Sequence, residues 1–269
     1  MTGASTSRRR GGLHSIGAAG RVWRIAIRSR GEFVASLLVA AALWEAVGRA
    51  SDLFFLPPLS SVLVALYELI ADGTLPTQLA VSLGTLVVGV TIASVAGVAL
   101  GALMGLFRSV EDALDIYVSA AMSAPIAAFI PLFILAFGIG YPTRLVTVVL
   151  FAFFPVVINT LAGLRAADAS SLEMARSFGA TPWKLFWQVR VPMAIPYIRT
   201  GLTLGTARGV DGLIAGEVLI AAVGLGQVVT RYANAFSMDR LYAVAIFIAV
   251  VALVAVSLVQ AVTRRLIRA

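Results

Sequence analysis

Apolar residues in this chain gather into long runs with few polar interruptions, a pattern too extended for ordinary core helices. Six runs stand out: Phe33–Val47 with its flanks, Ser82–Phe107, Ile116–Gly140, Leu145–Leu164, Gly201–Val223 and Leu241–Val262. A helix that crosses a bilayer needs about twenty mostly apolar residues, so each run predicts a membrane span. A seventh candidate, LFFLPPLSSVLVALYELIA, is broken by Pro57 and Pro58, because proline lacks the donor that a helix interior requires. Its remainder, Leu59–Ile70, predicts a short amphipathic helix along the membrane surface. Val62, Leu66 and Leu69 would form its apolar side, with Glu68 and Asp72 toward water.

Composition agrees with that pattern. Of 269 residues, 60% are hydrophobic and 13% charged, against about half and about a quarter in soluble domains. A net charge of +8 would suggest nucleic acid on a soluble chain, but the basic residues follow the spans instead. Arg8, Arg9, Arg10, Arg21, Arg24, Arg28 and Arg30 precede the first run, and Arg264, Arg265 and Arg268 follow the last. Arg108, Arg165, Arg176, Lys184, Arg190 and Arg199 fall in loops on the same side, leaving only Arg49, Arg144, Arg231 and Arg240 opposite. Cytoplasmic loops collect Lys and Arg. Both termini are therefore expected inside the cell, with residues 1–31 a basic tail, 32–269 a single transmembrane domain, and 165–199 a cytoplasmic loop. The Arg8–Arg10 cluster lies some twenty residues before the apolar run, which favours such a tail over a twin-arginine export signal.

With no Cys, disulfides and thiolate sites are excluded, and His14 is the sole histidine. No Ser-His-Asp or Cys-His set can form within the spans. A nucleotide-binding P-loop needs G-x4-G-K-[ST], but the only lysine, Lys184, is followed by Leu185 and has no such glycines before it. Neither metal nor cofactor is expected, and the chain is not expected to be an enzyme.

Within the spans, Thr85, Gly89, Ala93, Gly97, Gly101 and Gly105 place a small residue at every fourth position. Such a column brings helix backbones close together, within one subunit or between two. Pro125, Pro131 and Pro155 predict kinks in spans three and four. Span five carries Arg208, Asp211 and Glu217. Each charge costs about 2.5–3.5 kcal/mol at a helix centre, so some must face protein, water or a span end. Arg208 and Asp211, three apart, share a face, whereas Glu217 points elsewhere. These three, with Asn159 of span four, are the candidate residues of a solute path. A buried Arg–Asp pair with Glu217 as an anchor at the outer end is the structural alternative.

The loop between spans four and five reads LEMARSFGATPWKLFWQVRVP. Leu172, Ala175 and Phe178 recur at helical spacing, and Gly179 follows as a helix terminator. Thr181 then caps a second helix opened by Pro182, with Trp183, Phe186 and Trp187 on one face. This predicts a helix–Gly–helix hairpin presenting aromatic and charged residues together.

That hairpin resembles the loop of permease subunits in bacterial ATP-binding-cassette importers, of the form E-A-A-x3-G-x9-I-x-L-P. Here it runs Glu173-Met174-Ala175, Gly179, Val189-Arg190-Val191-Pro192 at matching intervals. FLPPLSSVLVAL, AAFIPLFILAFGIG, FFPVVINTLAGL and AGEVLIAAVGLG are similar to the nitrate/sulfonate/taurine-type branch of that family, whose members also take up pyrimidine precursors or riboflavin. The resemblance implies an all-α permease of the type I importer kind, with six transmembrane helices and a cytoplasmic coupling loop, in the cell inner membrane. It implies a permease homodimer, two cytoplasmic ATP-binding subunits and an extracytoplasmic solute-binding protein, and no nucleic acid. Glu173, Ala175, Arg176, Gly179, Thr181, Pro182, Trp183, Lys184, Phe186 and Trp187 would then contact the ATPase. An ion-coupled carrier using the charges of span five is the competing reading.

Overall fold

The computed structural model describes residues 15–50, 53–167, 169–220 and 223–266, all helical or in short connections. Arg8, Arg9, Arg10, His14 and Arg268 lie outside the described residues. The chain divides into two compact units between Val62 and Leu63.

In the first unit, α1 (Ser15–Ala50) begins within the stretch read as tail and carries the first apolar run. The chain then folds back on the end of α1. Trp44 Nε1 donates to the Pro57 carbonyl at 3.1 Å, and Glu45 accepts both the Ser60 amide and hydroxyl at 2.9 Å. A Cβ on Gly48 would meet Pro58 Cα at 2.8 Å, so glycine permits the return. Pro57 and Pro58 end the irregular segment, and α2 (Leu59–Ala71), most of which belongs to the second unit, starts directly after them. Val62 and Leu69 are buried and Leu66 half-buried, while Glu68 is exposed as the pattern predicts; Ala65 joins the buried side.

The second unit centres on three helices: α3 (Thr74–Leu106), α6 (Tyr141–Arg165) and α9 (Val191–Ile220). Asp72 accepts the Thr74 amide at 2.8 Å at the start of α3, and that bond holds its exposed carboxyl below the usual value. The column of small residues on α3 faces α6 within the same chain. A Cβ on Gly89 would strike Val148, on Gly97 Val156, on Gly101 Thr160, and on Gly105 Leu164. The partners recur every fourth residue, so the two columns lie side by side along several turns. On its other flank α6 meets α9 through glycines again: Gly201 lies against Asn159 and Val156, Gly205 against Val156 and the Ala152 carbonyl.

The third span is interrupted. α4 (Arg108–Ser123) and the pair formed by a 3-10 turn (Ile126–Phe129) and α5 (Ile130–Phe137) meet at 90°. The break falls at Ala124–Pro125, consistent with the clash between proline and the preceding residue in a helical conformation. Pro131 does not kink anything; it occupies the first turn of α5, where no amide donor is required. Pro155 sits inside α6, which continues through it. After α6 come α7 (Ala169–Ser177) and α8 (Pro182–Leu185), then α9, α10 (Leu225–Asn234) and α11 (Met238–Leu266).

Among the described residues, α3, α6 and α11 are each long and apolar enough to cross a membrane, and two broken pairs bring the possible number to five. The first predicted span, in α1, is not among those five.

The packing yields a clear expectation. Gly101→Val would force a side chain to within 2.7 Å of Thr160 Cβ and the Val157 carbonyl, and overpacking of that kind costs about 1–3 kcal/mol. Thermal unfolding in detergent should show a lowered midpoint for this variant. Gly84→Val, on the open side where nothing lies within 4 Å, should unfold near the parent.

Candidate functional site

Two regions carry the residues singled out by the sequence: the hairpin between α6 and α9, and the charges of α9. In the hairpin, α7 ends as the sequence predicts. Gly179 adopts φ +76°, a conformation that costs other residues about 1–2 kcal/mol. The Gly179 amide donates to the Arg176 carbonyl at 2.9 Å and the Ala180 amide to the Ala175 carbonyl at 3.0 Å, the paired bonds of a Schellman end. No atom lies within 4 Å of a Cβ built at Gly179, so the requirement there is conformational rather than steric. Thr181 Oγ1 accepts the Lys184 amide at 3.4 Å, and Pro182 opens α8.

A π turn, Phe186–Arg190, joins α8 to α9 without a break. The three aromatic residues remain one ring cluster that differs in burial. Leu185 and Phe186 turn inward, and Phe186 packs with Leu164 and Ala194. Phe186 is therefore committed to the chain's own core, where the sequence grouped it with the outward ring face. Trp183 and Trp187 remain 66% and 51% exposed, resting edge to face at 5.6 Å, each also in contact with the Phe186 ring. Met174 and Phe178 are exposed as well, Phe178 at 85%, while Ala175 is half-buried. Glu173, Arg176 and Lys184 are exposed. Between the two arms lies an open groove of about 460 Å³, bordered by Met174, Ala175, Phe178, Gly179, Lys184 and Val189. Outside that groove, Arg190 Nη1 donates to the Gly105 carbonyl at 3.3 Å near the end of α3.

The four candidate path residues separate into different environments. Arg208 and Asp211 form an ion pair at 3.7 Å and are 66% and 61% exposed. With Leu204 and Leu219 they make the exposed stripe of α9, opposite Gly209, Gly212 and Gly216 in the packed face. Arg208 also borders a cavity of about 240 Å³ at the break between α4 and α5, with Met122, Pro125, Ile126, Phe151 and Phe154. The Arg–Asp pair is thus exposed, not buried. Asn159 is not brought to that stripe; its Nδ2 donates to the Pro155 carbonyl of its own helix at 2.8 Å.

Glu217 is completely buried and does not face the stripe either. Its carboxylate accepts the Ser82 hydroxyl at 2.8 and 2.9 Å, the Gly226 amide at 3.0 Å and Arg144 Nη1 at 3.4 Å. The Leu225 amide donates to Ser82 Oγ at 2.9 Å. One carboxylate therefore joins α3, α6, α9 and the first turn of α10. Gly224 at φ +87° lies so close that a Cβ there would overlap the carboxylate. Arg144 and Ser82 were not found by sequence reasoning. Glu217 alone among the span-five charges had no partner within helical reach, and the glycines two apart at 224 and 226 marked the close turn. Among the described residues no group of three or more His, Cys, Asp or Glu is placed to hold a metal.

Removing one member of a buried pair leaves the other charge uncompensated, at a cost of about 3–5 kcal/mol. Glu217→Gln should therefore lower the unfolding midpoint strongly. Adding Arg144→Met should return part of that loss, a coupling that a double-mutant cycle on purified protein reads directly.

The relatives of this sequence share its architecture. It is 31% identical over 240 residues to the taurine transport system permease protein of Escherichia coli (strain K12), covering 87% of each chain. It is 28% identical over 229 residues to a nitrate import permease protein of Synechocystis sp. (strain ATCC 27184 / PCC 6803 / Kazusa), covering 81% of this chain and 82% of that one. The fold matches a crystal structure of an amino acid ABC transporter with a TM-score of 0.60 at 19% identity, over 76% of this chain and 97% of the other. Residues 93–268 match the family described as binding-protein-dependent transport system inner membrane component. With that match over most of its length, the chain belongs to the family of inner-membrane permease components of binding-protein-dependent, ATP-binding-cassette importers.

Proposed function

We propose that this permease subunit is gripped through the α7–α8 hairpin by a separate ATPase subunit and that two copies of it enclose the solute path. The single observation that carries this reading is the hairpin itself. Trp183, Trp187, Met174 and Phe178 stay exposed around a groove at Gly179, while Phe186 anchors the same element in the core. Exposed aromatic and methionine side chains of this kind supply the dominant contacts at protein interfaces, with Glu173, Arg176 and Lys184 as polar contacts at the edge. ATP hydrolysis belongs to the partner. The basic residues of the hairpin and both chain ends support a cytoplasmic position for all three, and α1, α3, α4–α5, α6, α9 and α11 are the six proposed spans. A solute-binding protein delivers its cargo from the opposite side.

Arg208 and Asp211 line the path. Facing lipid at mid-span, the two charges would cost roughly 5–7 kcal/mol; facing water beside a second copy, they do not. The Arg208 guanidinium next to its small cavity suits a compact anion, and nitrate and the sulfonate of taurine are both of that class. The family match favours this importer over the ion-coupled carrier, which would need no ATPase.

The test is co-purification with the ATPase subunit and uptake in reconstituted vesicles. Gly179→Val should weaken ATPase association about tenfold, and Trp183→Ala with Trp187→Ala by about thirtyfold or more. Arg208→Gln should leave association intact and reduce ATP-driven uptake. Full association by the Trp183/Trp187 variant would reject the hairpin as the docking element.

A further inference from the structure

A groove runs between α9 and α11 in the second unit, and its chemistry changes along its length. Its first part is a cavity of about 480 Å³ where α3, α9 and α11 meet, walled by side chains such as Leu86, Val90, Val251, Val254, Ala255 and Val259. Its second part, nearer the end of α11, is a cavity of about 320 Å³ bordered by Arg199, Thr200, Thr203, Gln260 and Arg264. Thr206 of the first lies one helical turn from Thr203 of the second, and Val259 is followed directly by Gln260, so one cavity continues into the other. No carboxylate lines either one.

The basic end is held in place. Arg199 Nη2 donates to the Thr263 and Arg264 carbonyls at 3.0 and 3.3 Å, which fixes its guanidinium at the terminus of α11. Its Nε is buried with no acceptor among the described residues. Arg264 and Gln260 border the same space and bring further donors.

We propose that this groove binds an anionic phospholipid, with the phosphate at Arg199, Gln260 and Arg264 and an acyl chain in the carbon-lined trough. Basic pockets between membrane helices favour anionic headgroups. A free phosphate would use only the basic end and leave the trough without an occupant. The proposal needs only that α9 and α11 lie in the bilayer; the proposed orientation decides the leaflet, which would be the cytoplasmic one. A lipid wedged there would fix α9, the helix that continues from the hairpin and bears Arg208, against α11.

The test uses the permease purified with its ATPase subunit and native mass spectrometry in detergent, titrated with phosphatidylglycerol, phosphatidylcholine or inorganic phosphate. The expected result is one phosphatidylglycerol retained per permease chain, with phosphatidylcholine at least tenfold weaker and no displacement by inorganic phosphate. Arg264→Gln should weaken retention about fivefold, and Arg199→Gln with Arg264→Gln about twenty-fivefold. Val251→Trp fills the trough, keeps both arginines and should abolish retention, which covers the case in which the Arg199 variant does not fold. Equal retention of the two lipids, competition by inorganic phosphate, or retention that survives Val251→Trp would overturn the proposal. So would a photo-crosslinker at position 254 that joins two permease chains in place of lipid, because the groove would then be a subunit interface. ATPase co-purification is read on the same samples, so a failure of hairpin docking shows there and not in the lipid count.

Discussion

Backbone proximity between α3, α6 and α9 is the constraint from which the rest of the second unit follows. In a bilayer, apolar side chains gain little by leaving lipid for one another, so helix association depends on close packing and on polar contacts. Here α6 is held on both flanks by glycines whose missing side chains are replaced by Val148, Val156, Thr160 and Leu164 on one side and by Ala152, Val156 and Asn159 on the other. Val156 is shared by both seams. A helix gripped so tightly offers a rigid reference for whatever else moves.

The two polar features sit at opposite ends of that packed core and serve it differently. At one end, Glu217 and Arg144 replace dispersion with charge, and the Ser82 hydroxyl and Gly226 amide complete the coordination of the carboxylate. The turn into α10 is fixed because its amide points at a carboxylate already committed to α3 and α6. At the other end, Leu164 touches both Gly105 of α3 and Phe186 of the hairpin, and Arg190 adds a bond to the Gly105 carbonyl. The hairpin is thus seated on the end of the glycine seam rather than hung from a loose connection.

Much of this was legible in the sequence because the governing rules are local. Helical spacing, Gly179 as a terminator and Thr181-Pro182 as a starter all act within a few residues, and each appears where expected. The small-residue column was equally plain, but whether it served one subunit or two was not, because that depends on the complementary column of α6. The fate of Glu217 was obscure for the same reason: its partners Ser82 and Arg144 lie 135 and 73 residues away. Trp183, Phe186 and Trp187 do meet as one ring cluster, as their spacing implies. That Phe186 is its buried edge depends on Leu164 of α6, which the spacing within the hairpin does not show.

The π turn also bears on how motion at the hairpin would reach the proposed path. Trp183 and Phe186 stand side by side on the same short element, one exposed and one buried, with their rings in contact. The backbone runs from Pro182 through the π turn into α9 with no loop to absorb a displacement. A force applied at the tryptophans therefore acts along α9, and Arg208 and Asp211 ride on that helix about five turns further on. The glycine face of α9 sets its backbone close against α6, with Phe151, Val156 and Asn159 seated in the glycine notches, so the two helices are coupled. Rigid attachment at the hairpin combined with close packing on α6 is an arrangement in which a modest tilt of α9 and α6 together would change the exposure of the charges α9 carries.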